Sequence, residues 1–132
     1  LIAALLIVGG SRLLKSAMVV DIESAEISAV LSAEAMSQEF RNNEDIYRKK
    51  YDNLVLQIEG IVSETGNDFE TGAYFALKGL NNDPFGIKCY FLEQNIADAN
   101  KVKIGDIVIM KGVANGNKLE NCKVININGQ SL

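Results

Sequence analysis

Apolar and polar residues change their spacing along this chain near residue 53. Before that point the spacing is helical. Ser32 followed by Ala33, Glu34 and Ala35 fits a capping box whose Glu comes slightly early, and Met36, Phe40, Ile46 and Tyr47 recur near one face. The pattern predicts one helix from about Ala33 to Tyr51. Its charged positions, Glu39, Arg41, Glu44, Asp45, Arg48, Lys49 and Lys50, form a solvated face with cations towards the C-terminal end, where the helix dipole favours them. Residues 21 to 32 show no clear period and read as a linker or a weak helical turn.

From Leu54 onwards the alternation is that of strands. Leu54, Leu56, Ile58 and Val62 alternate with Gln57, Glu59 and Ser63 in a long first strand, where Gly60 predicts a bulge or sharp bend. Thr65 to Gly72 is a turn-rich connection. A second strand over about Ala73 to Leu80 leads through Asn81, Asn82, Asp83 and Pro84 into a third, Phe85 to Phe91. Glu93 to Val102 predicts a helix of two to three turns. Ile107 to Val113 and Lys118 to Ile127 are the last two strands, joined by a tight loop at Asn115, Gly116 and Asn117. Five strands with one helix between the third and fourth is the order of the OB-fold, a Greek-key barrel that leaves no long unprotected edge. The expected class is therefore mainly β with helices, divided into an apolar segment 1–20, a linker and helix 21–53, and a barrel 54–132.

Charge narrows what such a barrel would bind. The chain carries 13 basic and 17 acidic residues for a net charge of -4, and residues 54–132 contain seven Lys against nine Asp or Glu. Long-range attraction to phosphate polymers is not built in. There is no His, so Ser/His and Cys/His catalysis and the usual Cys/His zinc sites are excluded. Glu59, Glu64, Asp68, Glu70 and Asp83 match no metal-loop spacing, and Gly79, Gly86 and Gly112 form no phosphate-binding fingerprint. No cofactor, no metal and no enzymatic activity is expected.

Strand alternation supplies one candidate surface. With Ala73, Phe75, Leu77, Ile87, Cys89 and Phe91 facing inward, Tyr74, Lys78, Lys88 and Tyr90 face outward on the second and third strands. That is the surface on which OB proteins hold oligonucleotides and oligosaccharides, with rings for stacking and ammonium groups for phosphate. An ordinary solvated sheet face, where Tyr and Lys are common, is the alternative. Cys89 and Cys122 fall on the third and fifth strands, which are neighbours in this fold. A disulfide there would close a 34-residue segment and contribute roughly 3 to 4 kcal/mol. Two reduced cysteines buried as small apolar groups are the equal alternative.

Leu1 to Val8 are all apolar, and the chain reads as a piece of something longer. The run is too short to span a bilayer, which needs ~20 residues, and suits a signal-peptide core or the end of a membrane anchor, although no lipobox cysteine follows. Leu5, Leu6, Val8, Leu13, Leu14 and Ala17 also fit an amphipathic helix packed on the barrel or on a second copy, which would favour self-association.

Phe40, Asn43, Glu44, Tyr51 and the run Val55-Leu56-Gln57-Ile58-Glu59-Gly60-Ile61-Val62 resemble the opening of the bacterial tRNA_anti-like OB family. So do Cys89-Tyr90-Phe91, Ile104-Gly105-Asp106, Val108-Ile109-Met110-Lys111-Gly112 and Asn121-Cys122. The resemblance covers about residues 33 to 132. It implies an OB-fold, frequently behind a signal peptide or membrane anchor, and a nucleic-acid role assigned by fold analogy, which does not itself establish function. The reading that unites these features is a non-catalytic OB binding module of the cell envelope whose partner is a protein, glycan or other ligand. Single-stranded nucleic-acid binding and structural self-assembly stand as alternatives, and a cytoplasmic location is the alternative to the envelope.

Overall fold

A computed structural model describes residues 21–68, 72–80 and 86–132 of the chain. The apolar segment 1–20, together with Glu70, Asp83 and the turn at 81–84, lies outside the described residues. The elements are β1 (Ala29–Ser32), α1 (Ala33–Asn42), α2 (Glu44–Tyr51), β2 (Val55–Asp68), β3 (Gly72–Leu77), β4 (Ile87–Phe91), a 3-10 turn (Glu93–Asn95) running into α3 (Ile96–Ala99), β5 (Ile107–Asn115), β6 (Lys118–Ile127) and β7 (Gln130–Ser131). Hydrogen bonding runs in the order β2-β3-β4-β6-β5 and returns from β5 to β2, which closes a five-stranded barrel; β1 and β7 are added at its margins. The five predicted strands correspond to β2 to β6, and the fold is the expected OB-type barrel.

One strand makes the closure possible. β2 pairs antiparallel with β5 over Val55 to Ile61 and with β3 over Val62 to Asp68, so its two halves belong to opposite sides of the barrel. The register slips between Val62 and Glu64, and there β2 changes partner. The bulge thus sits at Ser63, beyond the Gly60 predicted for it. Gly60 instead lets the strand pass close under α1: a Cβ added there would lie 2.8 Å from Ala33 Cβ. β2 also runs on to Asp68, through residues whose composition predicts a turn.

Inward side chains of all five strands, among them Leu56, Ile58, Phe75, Leu77, Ile87, Met110, Leu119 and Val124, fill the barrel, while Ala33, Met36, Tyr47 and Tyr51 extend the same core outward. Each large side chain so buried contributes about 1.5 to 3 kcal/mol before entropy is counted.

The region before the barrel differs from the sequence reading in two respects. Residues 29–32, expected in a linker, form β1, which pairs parallel with β2 from Ala29↔Leu56 to Ser32↔Glu59. The single helix expected over 33–51 is two helices broken at Asn43, whose backbone is extended (φ -164, ψ 99). The cause is local: Asn43 Oδ1 accepts a hydrogen bond from Ile46 N at 3.1 Å and so caps α2, as Ser32 Oγ caps α1 by accepting from Ala35 N at 3.0 Å. The break lets Phe40 of α1 meet Tyr47 of α2 edge to face at 5.4 Å, with Tyr51 beyond at 5.0 Å. Asp52 then fastens α2 to the β5–β6 turn, accepting from Gly116 N at 2.8 Å and from Arg48 Nη1 at 3.1 Å.

Ahead of β1, Ile22 is buried and the segment around it is held against β5 and β6. Lys111 Nζ donates to the carbonyls of Glu23 and Ala25 at 3.3 and 3.4 Å, and Lys123 pairs with Glu23 at 3.0 Å.

Two substitutions test this packing by urea denaturation. Tyr47 is buried with its hydroxyl free of any hydrogen-bond partner, and burial, reinforced by Asp52, pushes its phenol well above the usual value. Tyr47→Phe is therefore expected to leave stability unchanged or raise it by up to ~1 kcal/mol; a clear loss would show that the hydroxyl is satisfied in solution. Asn43→Ala removes the α2 cap and is expected to cost about 1 kcal/mol.

Candidate functional site

The outer face of β3 and β4 follows from their register. Tyr74 pairs with Tyr90, Phe75 with Cys89, Ala76 with Lys88 and Leu77 with Ile87. Because successive side chains alternate, Phe75, Leu77, Ile87, Cys89 and Phe91 enter the core while Tyr74, Lys88 and Tyr90 emerge together. The two tyrosine rings lie 5.7 Å apart at 43°, and Lys88 Nζ stands 5.2 Å from the centre of the Tyr74 ring. That distance is within cation–π range.

Tyr74 is held from several sides. Its hydroxyl donates to Glu64 Oε2 at 2.7 Å, and its cross-strand partner is Gly66, where an added Cβ would come within 2.7 Å of the ring. The bare backbone of Gly66 is thus the seat of the ring. With Lys88 also over it, Tyr74 is a fixed part of the surface, and among the described residues no such clamp holds the Tyr90 ring beside it.

The four residues singled out by alternation do not form one group. Tyr74, Lys88 and Tyr90 come together, but Lys78 lies just past the end of β3, in a shallow groove with Ser32, Glu34, Glu59 and Ile61 beside the start of α1.

In its place the fold brings in a residue that sequence reasoning missed. The parallel pairing of β4 with β6 sets Lys118 opposite Lys88, one step from the inward pair Cys89↔Leu119, so both lysines point outward. Among the described residues no carboxylate lies within ion-pairing distance of either. Like charges facing each other across a strand pair destabilise it. The available signal was the OB order itself, which places the third and fifth strands side by side; the register between them was not readable.

Cys89 and Cys122 lie on these same two strands, both thiols and both wholly buried beneath that surface. Among the described residues no group of three His, Cys, Asp or Glu is placed to hold an ion. Chemically, the surface offers one clamped ring, one open ring and two ammonium groups, a set suited to stacking and to charge neutralisation.

The fold has a counterpart among solved structures. A crystal structure described as a putative nucleic acid-binding lipoprotein from Klebsiella pneumoniae aligns over 83% of this chain and 100% of its own, with a TM-score of 0.59 and 19% identity, which shows a shared fold. A tRNA fluorescent labeling enzyme aligns over 57% of this chain and 19% of its own, with 19% identity and a TM-score of 0.42. Yeast Stn1 and Ten1 align over 80% of this chain and 68% of theirs, with 12% identity and a TM-score of 0.42. Comparison with curated protein sequences returns no match. The family model named tRNA_anti-like matches residues 2–128, nearly the whole chain, and this protein belongs to that family.

Proposed function

We propose that this chain is a non-catalytic binding module of the bacterial cell envelope that holds an extended, acidic ligand across β3, β4 and the start of β6. The observation that carries the reading is the pairing of Lys88 with Lys118 beside Tyr74 and Tyr90. Two adjacent ammonium groups repel, and an anion laid between them removes that repulsion. On a chain of net charge -4 this is a local exception, so the attraction acts at contact and not at a distance. The envelope setting rests on the apolar run Leu1 to Val8 and on the lipoprotein description of the Klebsiella pneumoniae relative. Among the described residues no helix is long and apolar enough to cross a membrane. In that setting an anionic glycan is the ligand of choice.

Single-stranded nucleic acid is the second reading, favoured by the ring pair itself. Each base that stacks on such a platform contributes ~1 to 3 kcal/mol whatever its sequence. The nucleic acid-binding description of the same relative agrees with it.

Fluorescence anisotropy with labelled single-stranded DNA, single-stranded RNA and an anionic oligosaccharide, each at two salt concentrations, separates the two. Tyr90→Ala is expected to weaken binding about tenfold or more. Lys88→Ala with Lys118→Ala is expected to lower the salt dependence by about one to two ions. Gly66→Ala, which unseats Tyr74, should weaken binding although it lies outside the contact surface. Absence of nucleic-acid binding at low salt removes the second reading; absence of binding to every polyanion removes the face. The compartment is tested by fractionating cells that express the full-length gene product, and recovery in the cytosol would overturn the envelope assignment.

A further inference from the structure

We infer that Cys89 and Cys122 are a redox pair that closes to an intrachain disulfide, stapling the parallel β4–β6 seam of the barrel. Register and core burial place the two cysteines near each other. Phe91 is the register partner of Cys122, and Cys89 lies two residues earlier on the same inward side of β4. Both residues are 0% exposed in one core cluster, and, after burial itself, Cys89 is the neighbour that pushes the Cys122 thiol up. The strand beyond them makes room for the sulfur: at Gly112 of β5 an added Cβ would stand 2.7 Å from Cys122 Sγ. The site is also anchored, since the side chain of Asn95 donates from Nδ2 to the Cys122 carbonyl at 3.3 Å.

The seam is the place in the barrel where such a bond has most to do. β4–β6 is the parallel pairing among the five barrel strands, and its register slips between Cys89 and Phe91. Parallel pairing is the weaker kind per residue, and a bulge interrupts the ladder further. A covalent bond at this point restrains the strands where hydrogen bonding does so least.

The oxidant belongs to the class of dithiol–disulfide carriers, such as a disulfide oxidoreductase or oxidised glutathione. One cysteine thiolate attacks the carrier's disulfide, forming a mixed disulfide and releasing one carrier thiol. The second cysteine thiolate attacks its partner's sulfur in that mixed disulfide, forming the Cys89–Cys122 bond and releasing the second carrier thiol. Two electrons and two protons pass from the protein to the carrier, whose disulfide becomes two thiols. Burial pushes the Cys122 thiol well up, and both sulfurs are sealed from a carrier once the chain is folded, so the exchange precedes closure of the barrel.

The test uses the full chain, refolded from denaturant in glutathione buffers of graded oxidised-to-reduced ratio. It is then quenched in acid, unfolded, alkylated and measured by intact mass without reductant. The expected result is a monomer lighter by about 2 Da that takes up no alkylating agent and yields one linked peptide containing both cysteines. Its melting temperature should exceed that of the reduced chain by roughly 10 °C or more. Two alkylated thiols in excess oxidised glutathione would overturn the inference, as would a bond formed between chains.

Discussion

Closure of the barrel depends on β4 lying parallel to β6, the pairing that joins the β2–β3–β4 meander to the β5–β6 hairpin. A meander and a hairpin each form from sequence neighbours, but this contact spans the 3-10 turn, α3 and all of β5. Its entropic cost of closure is met by burial of Cys89, Phe91, Leu119 and Cys122 on its inner side. The outer side of the same pairing brings Lys88 and Lys118 together. Core and candidate surface are therefore two faces of one long-range contact.

Much of the barrel was legible in the sequence because its signals are short-range. Alternation in Val55–Ile61 and Ile87–Phe91 reports which side chains face inward, and Asn115 to Asn117 marks the hairpin. What was misread depends on a partner or on a competing local bond. Ala29–Ser32 has no period of its own and becomes a strand because β2 offers a free edge beside Leu56 to Glu59. The helix pattern through residues 33–51 hides a break because Asn43 spends its side chain on the amide of Ile46 instead of continuing α1.

The same distinction applies to the candidate face. Parity along one strand places Tyr74 and Tyr90 outward, and both emerge side by side. Parity says nothing of distance along the strand, and so Lys78, with the correct parity, ends in the groove by α1. Nor does it report neighbours contributed by another part of the chain. Lys118 enters the surface only through the parallel register, and the seat for Tyr74 is a residue with no side chain, Gly66.

The strap ahead of β1 gives the module a mechanical polarity. Ile22 is buried, and Lys111 and Lys123 grip the backbone and side chain of the segment around it from β5 and β6. In the cyclic order of strands β5 lies across the barrel from β3 and β4, whereas β6 is the direct neighbour of β4. Tension entering through residue 21 is therefore taken up first by Lys111 on β5 and Lys123 on β6, and it reaches the tyrosines through the β4–β6 pairing.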